Sequence, residues 1–176
     1  MGAAMTGESN SSGAGKAGSY DTLSILAWVA VAILAVNVSY FVGEEVGGQY
    51  FESGADILPL LNGFLIGLLK AGPTIFIACA LADFASFFGR CGKGDVFTAR
   101  NLKTLRQGAD SLIWAAVTSA VIIPVVLGWV GEENSRNIFS FTDLALGVGL
   151  MGFALHGLAS VFEDAIALKD DNDQFV

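Results

Sequence analysis

The sequence predicts an all-α integral membrane protein with four transmembrane helices, and three observations carry that reading. The chain of 176 residues is 53% hydrophobic and only 15% charged, with a positive mean hydropathy of +0.61. Its apolar residues gather into four long runs, residues 23–42, 57–88, 112–130 and about 141–162. Its few Lys and Arg concentrate between the second and third runs. A soluble core would have to hide four such runs under very little polar surface, whereas hydrocarbon solvates them directly.

The first run, LSILAWVAVAILAVNVSYFV, carries no formal charge over residues 23–42. At about 1.5 Å per residue it matches the roughly 30 Å thickness of a bilayer core. A cleaved signal peptide is the rival reading, but the run follows a single Lys16 and is not followed by a small-x-small cleavage site. Residues 1–19 are rich in Gly, Ala and Ser, have little to bury, and are expected to form a disordered tail.

The second run is too long for a simple crossing, since residues 57–88 would extend about 48 Å as a helix. Lys70, Gly72 and Pro73 interrupt it, and proline lacks a backbone donor and crowds the preceding turn. Two readings follow. Either residues 57–69 form an apolar helix in the outer interface, followed by a crossing over 70–89 with Lys70 snorkelling to the surface, or the whole is one kinked helix.

In the third segment Thr98 is a good N-cap, and Phe97 precedes it as a staple residue facing Leu102, so a helix starts at Ala99. Leu102, Leu105 and Ala109 form an inward stripe that leaves Arg100, Lys103 and Arg106 on the wet side or at lipid headgroups. The helix continues into a span over 112–130, where Pro124 is a bend point. The fourth span, over 142–162, sets Gly149, Gly152, His156, Ser160 and Glu163 on one face, with the small residues permitting close helix approach. The expected organisation is therefore a tail over 1–19, a membrane domain over 20–162 and an acidic helix or tail over 163–176.

Orientation follows from the basic cluster Arg90, Lys93, Arg100, Lys103 and Arg106, because short positive loops stay in the cytoplasm. Both termini are then also inside. Acidic residues occupy the far side, with Glu44, Glu45, Glu52 and Asp56 after the first span and Glu132 and Glu133, beside Arg136, after the third. The acidic stretch from Glu163 to Asp173 faces the basic cluster across the same compartment, and attraction between them would be weak and salt-screened. Cys79 lies in an apolar run and Cys91 on the reducing side, so no disulfide is expected.

Two stretches resemble the bacterial membrane family designated domain of unknown function 2975. One is a motif of Gly94, Phe97, Thr98, Asn101, Leu105 and Arg106 between the second and third spans. The other is the C-terminal ASVFEDAIALKDDNDQFV, through Val161, Phe162, Ala165, Leu168, Asn172, Phe175 and Val176. Gly108 and Glu163 depart from the family's pattern. The resemblance implies a four-span bundle and, because such proteins often accompany small helix-turn-helix regulators, a regulatory role; it supplies no known activity.

The residue inventory does not point to catalysis. His156 is the single histidine, no recognised ligand spacing joins it to Cys79 and Asp83, and no phosphate-binding glycine loop occurs. No cofactor is expected, although an intramembrane His is chemically able to ligate a pigment or haem. A pI near 4.4 argues against direct nucleic-acid binding. The expected partners are the bilayer, anionic headgroups, and a cytoplasmic regulator or a larger membrane complex. The leading expectation is a non-enzymatic regulatory or adaptor module of the bacterial inner membrane. The alternatives are an accessory subunit and a transporter or channel component, the latter suggested by the intramembrane polar residues Asn37, Lys70, Asp83 and His156. Asp83 and His156, each six residues inside a predicted span end, share a depth and form the candidate polar pair.

Overall fold

The computed structural model describes residues 11–53, 56–93, 98–130 and 143–173, and these are all helical apart from short caps and turns. Helix α1 spans Ser11–Ser53, α2 Ile57–Cys91, α3 Ala99–Val117, α4 Ile123–Val130 and α5 Asp143–Asp173. A single π turn, Thr118–Ile122, joins α3 to α4 into one rod. Four segments, Gly18–Phe51, Ile57–Cys91, Ala99–Trp129 and Asp143–Leu168, are long and apolar enough to cross a membrane. The protein is a multi-pass membrane protein.

Several expectations change here. The stretch from Ser11 to Ser19 is helical and continues α1, because propagation adds one bond per residue once a long span has nucleated the helix and no proline stops it. Residues 57–91 form one continuous helix with Pro73 inside it, so there is no separate interfacial helix. The proline forfeits one backbone bond, and flanking helices hold α2 on both sides of that point, against α1 at Gly63 and Gly67 and against α3 and the π turn beyond Gly72. Pro124 is accommodated by the π turn rather than by a plain bend. The Ile123 N–H reaches back five residues to the Thr118 carbonyl, one position before the residue that cannot donate.

The helices are antiparallel neighbours in an open row, α1 on α2, α2 on α3, and α3 on α5. The register is set where one helix lacks a side chain. A Cβ on Gly67 would lie 3.0 Å from the Val42 Cα, and one on Gly63 would lie 3.1 Å from the Glu45 carbonyl oxygen. Gly108 receives the Phe84 ring, 2.7 Å from where its Cβ would be. Gly152 lies over the Ala109 carbonyl, and Gly149 lies over Ala116. The Ser24 hydroxyl donates to the Ala85 carbonyl at 2.9 Å, closing the α1–α2 hairpin at its other end.

The four spans implied by the family resemblance are present, packed as a row and not as a closed ring. Helices α1 and α5 approach only around a small apolar cavity bounded by Tyr20, Phe87, Leu102 and Phe162. Elsewhere their outer faces are exposed, with Trp28, Ile33, Tyr40, Leu150 and Phe153 all turned outward. Hydrocarbon does not penalise such exposure. This topology puts the N-terminal part of α1, the α2–α3 turn and the C-terminal part of α5 at one end, here called the basic end.

Gly152 and Gly157 make a matched test of the packing. A Cβ at Gly152 meets the Ala109 carbonyl at 3.0 Å and the Ile113 backbone nitrogen at 3.1 Å, whereas nothing lies within 4 Å of one at Gly157. Gly152→Ala is expected to destabilise the α3–α5 contact by about 1–3 kcal/mol. Gly157→Ala should leave the melting temperature in detergent unchanged or raised.

Candidate functional site at the basic end of α3 and α5

Helix α3 begins as its sequence dictates. Thr98 has extended backbone angles, φ -117° and ψ 143°, and its hydroxyl accepts from the Asn101 N–H at 3.2 Å. Asn101 is fully buried and its side-chain amide donates to the Cys91 sulfur at 3.3 Å. That contact ties the first turn of α3 to the last turn of α2. Leu105, one turn on, is also buried. Gly94 and Phe97 lie outside the described residues, as does the expected staple.

The five bases of the cluster separate into distinct roles. Arg90 donates to the Thr104 hydroxyl at 2.7 Å across α2–α3, and Thr104 in turn donates to the Arg100 carbonyl at 3.1 Å. Lys93 and Arg100 are exposed. Arg106 faces α5, where its Nη1 donates to a Glu163 carboxylate oxygen at 3.5 Å and its Nη2 lies 3.5 Å from the His156 Nε2. Lys103 lines the cleft between α3 and α5 together with Arg106.

His156 does not meet Asp83. Its Nδ1 lies 3.0 Å from the Asp110 carboxylate on α3, because α5 packs along α3 and not along α2. Asp83 lies on α2 and interacts electrostatically with Arg90. Equal distance from the predicted span ends does not choose the neighbour. A guanidinium only donates, so a hydrogen bond from Arg106 requires an unprotonated Nε2, which leaves the Nδ1–H to donate to Asp110. Asp110 stands two residues before the third apolar run, so the contact joins a residue within the fourth run to one just outside the third.

At the opposite end Lys70 does not simply snorkel. It makes an ion pair with Glu45 at 2.8 Å across α1–α2, with both side chains about 29% exposed. Cys79 is exposed and Cys91 buried. Among the described residues no group of three His, Cys, Asp or Glu side chains converges as a metal site would.

A family described as Protein of unknown function (DUF2975) matches residues 59–176. The chain belongs to this family. Neither a curated protein nor a solved structure matches it. Within the matched region, Thr98, Asn101 and Leu105 lie at the start of α3, and Arg106 reaches across to α5. The Arg106–Glu163 contact is of the weak kind expected between the basic cluster and the acidic stretch, but Asp110 as the partner of His156, and Glu163 as the particular acid, were not singled out from sequence. Their four- and seven-residue spacing from Arg106 and His156 is the signal that could have shown it.

Two double-mutant cycles separate the alternatives for His156. Asp110→Asn with His156→Gln should show a coupling of about 0.5–1 kcal/mol in detergent melting, a small value because the pair is partly exposed. Asp83→Asn with His156→Gln should be additive within about 0.5 kcal/mol.

Proposed function

We propose that the chain is a small non-enzymatic regulatory or adaptor module of the bacterial inner membrane, with both termini and the basic end in the cytoplasm. The disposition of its polar groups supports this reading. Lys70 is met by Glu45 across α1–α2 and His156 by Asp110 across α3–α5, Asp83 has the Arg90 charge on its own helix nearby, and Asn37 is exposed on α1. These groups are distributed over separate helix faces, and each cross-helix pair orients two helices. A transporter or channel, the alternative, requires them along a common route.

What remains at the basic end is surface charge within reach of a soluble partner. Lys93, Arg100 and Lys103 are exposed on one side, and Glu163 and Asp164 on the other. Interactions among such groups are individually worth at most about 1 kcal/mol, which suits reversible contacts. Positive charge at this end supports the cytoplasmic assignment.

Two experiments test the reading. In a background lacking Cys79 and Cys91, Glu44→Cys should react with an impermeant maleimide in intact cells, and Lys93→Cys only after the inner face is opened. The reverse pattern overturns the orientation. Mild-detergent purification should bring down a soluble protein at fixed stoichiometry, lost with Lys93→Glu and Arg100→Glu while melting stays within about 0.5 kcal/mol of the wild type. Solute flux in liposomes, or constant recovery inside a large membrane complex, would replace the regulatory reading.

A further inference from the structure

Ala99, Leu102, Lys103 and Arg106 recur at three- and four-residue intervals and so lie on one face of α3; Ala159, Glu163 and Ile166 do the same on α5. Where the faces meet they enclose a cleft of about 260 Å³. An alanine from each helix holds it open. Its apolar wall, Leu102 and Ile166, also lines the neighbouring apolar cavity of about 130 Å³. The cleft is thus cationic on one side and continuous with apolar surface on the other.

Its depth follows from the helix rise. Asp110 marks the edge of the apolar layer. Arg106 lies four residues farther out and Lys103 seven, or about 6 and 10 Å along the axis. The headgroup layer extends roughly 5–8 Å beyond the hydrocarbon on each side, so Arg106 falls within it and Lys103 just beyond it, where a flexible lysine side chain reaches back to the same phosphates.

Neither cation is firmly engaged. The Arg106–Glu163 contact is 3.5 Å long, with the side chains 48% and 62% exposed, a geometry that contributes little and is easily exchanged. Lys103 has no ion pair or hydrogen bond among the described residues. A guanidinium with a loosely held carboxylate, an ammonium beside it and an apolar wall suit a phosphodiester that carries hydrocarbon chains.

We propose that the α3/α5 cleft binds the headgroup of an anionic phospholipid, with Arg106 and Lys103 on the phosphate and Glu163 as the carboxylate it displaces. The assignment to the cytoplasmic leaflet rests on the orientation proposed above; the cleft itself does not depend on a regulatory partner. Occupancy would free Glu163 and the end of α5 from Arg106, giving lipid composition a way to alter the surface that a partner meets.

The test titrates the delipidated full-length protein in detergent with phosphatidylglycerol, phosphatidylcholine and soluble glycerol 3-phosphate, with binding read by native mass spectrometry. Phosphatidylglycerol should bind at least about tenfold more tightly than either of the others. Lys103→Gln with Arg106→Gln should remove about tenfold or more of that affinity. Ala159→Phe, which fills the cleft and leaves its charges in place, should do the same. Lys103→Gln alone alters one exposed side chain and should still weaken binding, which keeps the test valid should a bulkier variant fail to fold.

Glu163→Gln should tighten binding, and by more than Asp164→Asn does, because only Glu163 competes for Arg106. Equal binding of the two lipids, or an equal loss with Lys93→Gln, would overturn the site in favour of diffuse charge attraction. Glycerol 3-phosphate binding as tightly as the lipid would overturn the lipid assignment. So would lipid binding that appears only after Asp170, Asp171 and Asp173 are changed to Asn, since the chain's own tail would then be the occupant. Partner loss through Lys93→Glu and Arg100→Glu is measured separately, so either proposal can fail without the other.

Discussion

The arrangement of this protein depends on helices approaching one another where a side chain is missing. Hydrocarbon removes the drive to bury apolar surface, so association in the membrane falls to shape and to polar contacts. Gly63 and Gly67 admit α1 to one side of α2; Gly72 and Gly108 let α2 and the rod of α3 and α4 close on each other; Gly149 and Gly152 seat α5 on α3. Helix α1 uses one face in this scheme, as does α5, and α2 and α3 use two. A row without closure is the direct result. The exposed Ile33 and Phe153 on the outer helices, costly in water, are solvated where they stand.

Once the register is fixed, the polar contacts follow from it. Gly67 over Val42 brings Lys70 within 2.8 Å of Glu45. Gly152 against Ile113 brings His156, one turn later on α5, to Asp110, three residues back on the antiparallel α3, and sets Arg106 within reach of both His156 and Glu163. The charges therefore refine a packing that close backbone approach has already chosen. Their weakness at the basic end has a different consequence, because exposed contacts there can be exchanged without loosening the glycine seats deeper in the membrane.

This division explains what the sequence could and could not reveal. The four spans were legible because hydropathy accumulates over many residues, and the start of α3 because Thr98 satisfies a local donor. Gly149 and Gly152 could be read as a packing face from their spacing. Which helix that face would meet could not be read, since depth is encoded along one chain and adjacency in the fit of two. Asp83 and His156 were paired on depth alone and separated by adjacency. Asp110 was passed over because it stands just outside an apolar run, although one polar residue at the edge of a span is well placed to meet another. The continuity of α2 was obscured by Pro73, whose local cost is visible in sequence while the compensating contacts with α1 and α3 are not.

The stretch from Thr98 to Arg106 proves to be an anchor as much as a surface. Thr98 caps α3, Asn101 ties it to Cys91, and Arg90 reaches Thr104, so three contacts hold the first turns of α3 against the end of α2. With Asn101, Thr104 and Leu105 committed to the interior, helical geometry leaves Lys103 and Arg106 on the other side, toward α5. The anchor thus determines where these two cations point. Glu163 is the residue that meets Arg106. A carboxylate at this position attracts Arg106 where a basic residue would repel it, and the anchor on α2 is independent of that choice.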